Sequence, residues 1–328
     1  MRSKGRFAGM VVLVVIAVTI SAYGQSRTEY PNREIELIVA FAPGGSEDMR
    51  ARTLAAKLTE ILGQPVVVVN KPGASGTVGM TLLAKAKPDG YTIGSTSASP
   101  LIFAPHLQKV EYDPVSDFTY ICGSATQPFA ICVKQDARWK AMDELLDYAK
   151  LHPGEIKYAH PGTGHQSHVY MEAVCRARGV KMVGIPFKGD SESITALLGG
   201  HVVVASLAST FIPHAKAGKI RPLAMFSESR VRLFPEVPTL KELGFKFDLR
   251  APTVLGYGAP KGLPPEIRRK LEGAFEQAIK SPEFATVLKQ LDNEVLYRQG
   301  ETYKKLISEL YQAIGKMLKE LETSPTGK

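Results

Sequence analysis

The sequence predicts an α/β fold of two lobes with largely parallel sheets, and three observations carry that expectation. Short apolar runs alternate with amphipathic stretches along most of the chain, the signature of strand–helix–strand units. A strand followed by Pro-Gly and a helix occurs at 35–62 and recurs about 120 residues further on, at 156–177. The chain has 328 residues, 44% of them hydrophobic, which is more than one ordinary domain and enough for two cores.

The chain opens with Arg2, Lys4 and Arg6, followed by an uncharged apolar run of 11 residues at 10–20 and then Ala22-Tyr23-Gly24. The run is too short to span a bilayer, and the small residues stand at the spacing a signal peptidase reads. Residues 1–24 therefore read as a signal peptide cut between Gly24 and Gln25, with a periplasmic mature protein. No cysteine follows the run, which argues against a lipid anchor; a retained N-terminal anchor is the alternative. Losing the three basic residues lowers the formal charge from +9 to +6. That surplus is scattered, with no dense Lys/Arg run, so nucleic acid is not expected as a partner.

Strand expectations are 35–41, 66–70, 91–95, 156–160, 182–187, 202–206 and 220–225, with helices between most of them. The clearest helix is 46–62. There Ala51, Leu54, Ala55, Leu58, Ile61 and Leu62 fall on one face. Ser46 reads as its N-cap, Glu47 and Asp48 suit its first turn, and Gly63 closes it. The last third is helical at 265–280, 282–291 and 301–321. Cys122 and Cys132, in two strand-like runs, could pair in an exported protein or be small buried hydrophobes like Cys175. No cysteine spacing suggests a metal; His165 and His168, three apart at a helix start, could serve one, but no third ligand is visible, and neither metal nor cofactor is expected.

The two Pro-Gly loops, 42–48 and 160–167, each place free N–H groups at a helix start, where anions bind. In an open α/β sheet such loops collect ligands outside the strand ends, so two of them suggest a ligand clamped between lobes. The first loop matches neither G-x-G-x-x-G nor the P-loop pattern, which argues against nucleotides. Ser75 in the Gly/Ser-rich loop 71–77 and Ser97 in the STSAS stretch offer further donors. His165, Ser167 and His168 raise a hydrolase reading, but G-x-S-x-G and H-E-x-x-H are absent and no carboxylate is evident as the third member. Ligand hydrogen bonding, capping or packing suits these three better. Lys188, before the Gly189 turn, either offers a charge to a carboxylate or is solvated.

Taken together, YPNREIELIVAFAPGGSEDMRAR, LGQPVVVVNKPGASGTVG, AKAKPDGYTIG, PGTGHQSH, PFKGDSESITALLGGHV and FPEVPTLKELG, in that order, resemble the substrate-binding proteins of tripartite tricarboxylate transporters, the TctC or Bug (Bordetella uptake gene) family. The resemblance implies a type II periplasmic-binding-protein fold, two α/β lobes joined by crossing hinge strands that close like a Venus flytrap. Lobe 1 would comprise 25–125 and 250–328, and lobe 2 would comprise 126–249. It implies a monomeric receptor, not an enzyme, for a small organic acid: a mono-, di- or tricarboxylate, aromatic acids included. The partner implied is the membrane permease of such a transporter. A sensor feeding a two-component system, or a secreted hydrolase using His165 or His168, are the alternatives.

By position, the carboxylate would sit at Pro43, Gly44, Gly45 and Ser46 with Asp48. Thr163, Gly164, His165, Gln166 and Ser167 would face it, with Lys188 and Gly189 nearby. Two departures from the family pattern stand out. Many relatives carry small hydroxyl residues where this chain has His165 and Gln166. Many also carry an acid near 202–210, where VVVASLAST has none, and that absence favours a plain carboxylate or aromatic acid over a ligand bearing an amine.

Overall fold

The structure, a computed structural model, describes residues 29–227, 229–246 and 254–323; the expected signal peptide lies outside them. From Arg33 on, the described residues form one compact unit. Its first section runs β1 (Ile35–Val39), α1 (Ser46–Leu62), β2 (Val66–Asn70), α2 (Thr77–Lys85), β3 (Thr92–Ser97), α3 (Ala104–Leu107) and β4 (Phe118–Ala125). A second section follows: β5 (Ala130–Lys134), α4 (Met142–Leu151), β6 (Lys157–His160), α5 (Gln166–Arg178), β7 (Val183–Pro186), α6 (Asp190–Leu198), β8 (Val204–Leu207), α7 (Phe211–Lys216) and β9 (Ile220–Met225). The last is β10 (Leu255–Pro260), α8 (Pro265–Ile279), α9 (Pro282–Gln290), β11 (Val295–Gln299) and α10 (Gly300–Thr323).

The strands form two sheets, ordered β11-β4-β10-β3-β1-β2 and β7-β6-β8-β5-β9. The chain therefore passes between sheets twice, from β4 to β5 and from β9 to β10. Each sheet has a parallel trio, β2-β1-β3 and β7-β6-β8. Parallel pairing demands a crossover, and the helices supply it. The remainder is antiparallel: β10 runs against β3 and β4, and β5 against β8 and β9. The sheets are thus less uniformly parallel than the sequence suggests, and β10 and β11 were not among the expected strands.

Local chemistry explains the first section. In β1, Ile35, Leu37, Ile38 and Val39 are buried, because helices cover both faces. Helix α1 turns Ala51, Leu54, Ala55, Leu58 and Leu62 inward as expected, with Ile61 only half-buried. Gly63, at φ 71°, ends it by donating to the Thr59 carbonyl at 3.0 Å. One expectation fails here. The N-cap is Gly45, in extended backbone, and Ser46 is already helical. Its hydroxyl instead donates to Gln127 Oε1 at 3.3 Å. Cys122, Cys132 and Cys175 are all free and buried, and burial pushes the Cys175 thiol up to about 12.

Candidate functional site

The parallel trios present their carboxyl ends, and so the two Pro-Gly loops, toward one another. Helices α1, α5 and α6 start at the same place. Gly45, Ser46 and Glu47 of the first, His165 and Gln166 of the second and Asp190 of the third line one small cavity. Phe41, Ser97, Ser99, Gln127, Pro161 and Ala208 complete it. The volume open to the centre of a water-sized sphere is about 30 Å³, room for about two waters. Three helix N-termini around one cavity make a field that favours an anion.

The first loop is braced by Asp48. Its Oδ2 accepts from Gly44 N at 3.0 Å and from Arg52 Nε at 2.9 Å, and its Oδ1 accepts from Asn70 Nδ2 at 2.9 Å. Burial pushes this carboxyl up, but the bonds from Arg52, Gly44 and Asn70 outweigh it and hold it below the usual range. Gly44 sits at φ 78°, where a side chain is strained. Gly45 has ordinary φ, so its glycine is a matter of access.

The facing loop is braced by three imidazoles. His160 Nδ1 is 2.9 Å from the Gly162 carbonyl, His165 Nδ1 accepts from Ser167 N at 3.2 Å, and His168 Nδ1 accepts from Gly164 N at 3.3 Å. Burial lowers all three, with His168 nearby for His160, and His160 and His168 nearby for His165; His160 falls to about 4 and His165 to about 3. They are neutral at physiological pH. Because Nδ1 of His165 accepts, its proton is on Nε2. The Ser167 hydroxyl also lies 2.6 Å from that Nδ1, but Ser167 is wholly buried and off the cavity wall. The pair caps α5; a nucleophile would have to reach the cavity.

The loops touch across the cleft through bonds that end on main-chain carbonyls. Ser75 Oγ donates to the Thr163 carbonyl, Ser191 Oγ to the Pro43 carbonyl at 3.0 Å, and Ala42 N to the Lys188 carbonyl at 3.4 Å. Gly162, at φ 130°, has no room for a side chain, because a Cβ there would stand 2.8 Å from Ser75 Oγ and 3.1 Å from Ser75 N. A deeper tie runs from Arg50 Nη1 to Asn293 Oδ1 at 2.8 Å and from Asn293 Nδ2 to Ser209 Oγ at 2.7 Å.

Of the residues singled out in the sequence, Gly45, Ser46, Ser97, His165 and Gln166 line the cavity. Ser75, Thr163 and Lys188 line a second, outer depression of about 370 Å³. Lys188 is exposed there. Pro43, Gly44 and Gly189 form the rim and its contacts, while Asp48, Gly164 and Ser167 support the loops from behind. Sequence reasoning missed the acids of the cavity. Glu47 and Asp190 look like first-turn helix acids in the sequence, yet neither carboxylate caps its own helix. Glu47 Oε1 accepts from Ser95 Oγ at 2.6 Å, and Asp190 Oδ1 accepts from Ala208 N at 3.2 Å. Burial raises both, Asp190 to about 6, against the lowering charge of Arg50. The stretch 202–210 indeed holds no acid; the acids on the cavity wall come from α1 and α6 instead.

Against known proteins, residues 50–323 match the family model described as the tripartite tricarboxylate transporter family receptor, TctC. The chain belongs to this family. It is 39% identical over 281 residues to the protein in the gbd 5′ region of Cupriavidus necator, covering 86% of this chain and 85% of that one. The structure of the periplasmic binding protein BugD superposes with a TM-score of 0.83 at 31% identity, covering 90% of this chain and 99% of that one. That of MatC from Rhodopseudomonas palustris with bound malate superposes at 0.82 and 28% identity, covering 88% and 99%. The two-lobed periplasmic-binding-protein fold expected from the sequence is therefore the fold of this chain.

Proposed function

We propose that this TctC-family protein is an exported receptor that captures a small organic carboxylate between its two loops and hands it to the permease of a tripartite tricarboxylate transporter. In this reading the lobes are 25–125 with 250–328, and 126–249. The ligand's carboxylate lies at the starts of α1 and α5, against Gly45, Ser46, His165 and Gln166. The observation that carries the reading is the convergence of three helix N-termini and several hydroxyls on one small cavity. There, fixed N–H dipoles in a partly dry site favour a carboxylate over water. The malate bound in MatC supports the ligand class, and the family supports the permease.

The cavity is smaller than an organic acid, so entry requires the loops to part and closure to reform their contacts. Each rim hydrogen bond contributes a net ~1 kcal/mol, and the ligand supplies the differential affinity for the closed form. The test is a thermal-shift screen of organic acids, sugars, amines and inorganic ions, with calorimetry on the hits. Carboxylates should dominate. A hit list of sugars or metal ions without carboxylates would overturn the reading.

A further inference from the structure

We infer that the turn after α9, residues 292–294, is the pivot on which the cleft opens and shuts, so that residues which never touch the ligand set how readily it closes. The inference takes from the reading above only that the loops part; it is independent of the ligand's chemistry.

Three successive residues each hold a different part of the second section or of the crossings that lead to it. The Asp292 carboxylate accepts from Arg232 Nη2 at 2.9 Å, and Arg232 lies on the crossing from β9 to β10. The Asn293 amide donates to Ser209 Oγ at 2.7 Å, just past β8. The Glu294 carbonyl accepts from Thr126 N at 3.0 Å, on the crossing from β4 to β5. Both connections between the sheets are thus gripped by one turn. Asp292 and Asn293 stand off the cavity wall, yet the grip is wired to it. Asn293 Oδ1 accepts from Arg50 of α1, whose first residues Ser46 and Glu47 line the cavity, and Ser209 follows Ala208, which lines it from the second section. One planar amide with both ends in use holds the two walls in a single register. Arg50, Ser209 and Asn293 are all buried, so water does not compete for these bonds.

The local sequence points the same way. Helix α9 ends with two reversed bonds, from Asn293 N to the Leu288 carbonyl at 2.8 Å and from Asp292 N to the Lys289 carbonyl at 3.3 Å. Asp292 sits in this turn at φ 48°, a position where glycine is the usual residue. An acid there also meets the negative end of the helix dipole. For ending a helix, aspartate is unsuited on both counts. Its side chain is 8% exposed and holds Arg232, and that use accounts for its presence.

With the pivot loosened, the open form gains more freedom than the closed one, which the rim bonds still restrain, so the balance moves toward opening. Amide hydrogen exchange in the ligand-free protein, followed by NMR, tests this. Ala42 N, which bonds the Lys188 carbonyl across the cleft, exchanges when the loops part. Asp292→Gly removes the grip on Arg232 and supplies the favoured helix-ending residue. Its Ala42 amide should exchange ~3-fold faster or more, while amides inside β1 and β5 and the unfolding midpoint in urea stay level or improve. Asn293→Ala should speed the Ala42 amide ~10-fold; if that variant fails to fold, Asp292→Gly alone decides. An unchanged or slower Ala42 amide in either folded variant overturns the inference. So does an equal acceleration inside β1 and β5 in Asp292→Gly, which would make the turn a prop for the whole fold. Either failure leaves the carboxylate reading standing, because no ligand enters the measurement.

Discussion

The two loops of the cleft share one design and differ in what holds them. Each runs strand, Pro-Gly, helix. The first is pinned by a carboxylate, Asp48, with Arg52 and Asn70 around it. The second is pinned by neutral imidazoles: those of His165 and His168 accept from Ser167 N and Gly164 N, while Nδ1 of His160 donates to the Gly162 carbonyl. A carboxylate accepts hydrogen bonds when charged, and an imidazole accepts them only when uncharged. The two jaws therefore answer to pH over different ranges, and the difference can be probed one residue at a time.

The largest effect is expected at Asp48. Asp48→Ala strips a buried acceptor from Gly44, Asn70 and Arg52, and should cost about 3 kcal/mol, read as a lowered midpoint in urea at unchanged slope. Gly162→Ala comes next. Its Cβ meets Ser75 main chain and hydroxyl, so the loops cannot close, and ligand affinity should fall about 100-fold, close to 2.7 kcal/mol, in calorimetry. Gly45→Ala on the other jaw, whose Cβ would stand 3.6 Å from the Ala42 carbonyl, should fold and close normally. An equal loss at both glycines would erase the distinction between a steric need and a need for access.

The pH prediction follows in size. Unfolded histidines take up protons below about 6.5, whereas folded His160 and His165 resist to about 4 and 3. Their contribution is present above 6.5 and is lost as pH falls, at about 1.4 kcal/mol per pH unit for each group. Asp190, raised to about 6 from 3.8, runs the other way and offsets roughly one of them; His168 and Glu47, shifted in opposite senses, oppose each other. A net loss near 1 kcal/mol per pH unit between 6 and 4 should appear in denaturation, steepened by Asp190→Asn. Asp48, held low, keeps the first jaw intact through that range. In NMR, the His160 and His165 ring protons should not titrate above pH 5. The smallest effect is Arg52→Ala, which removes a half-exposed ion pair and should cost under ~1 kcal/mol, less in high salt.

What was legible in the sequence was whatever depends on neighbours in the chain. β1, α1 and both Pro-Gly loops announced themselves through apolar periodicity and through glycine beside proline. β10 did not, because Leu-Gly-Tyr-Gly-Ala-Pro reads as a turn. Gly256 is there for packing: a Cβ would stand 2.3 Å from the Cys122 carbonyl and 2.5 Å from the Tyr303 ring, contacts contributed by β4 and α10. β11, half-exposed along most of its length, lacks an apolar face to betray it. In the site, Gly45, Ser46, His165 and Gln166 could be found because the loops are local motifs. The inward facing of Glu47 and Asp190, and the Arg50–Asn293 tie between residues far apart in sequence, arise only when separate elements meet. A charged Glu-Asp-x-Arg at a helix start reads as solvated until the opposite lobe covers it.

The cross-cleft bonds of the rim end on carbonyls of Thr163, Pro43 and Lys188, acceptors that every amino acid possesses. The chamber within is furnished by side chains. Substitutions at positions such as 47, 97 or 190 can therefore retune what is tasted while the mouth continues to shut in the same way. That separation gives one scaffold a route to diverge among cargoes in single steps, without reinventing its hinge.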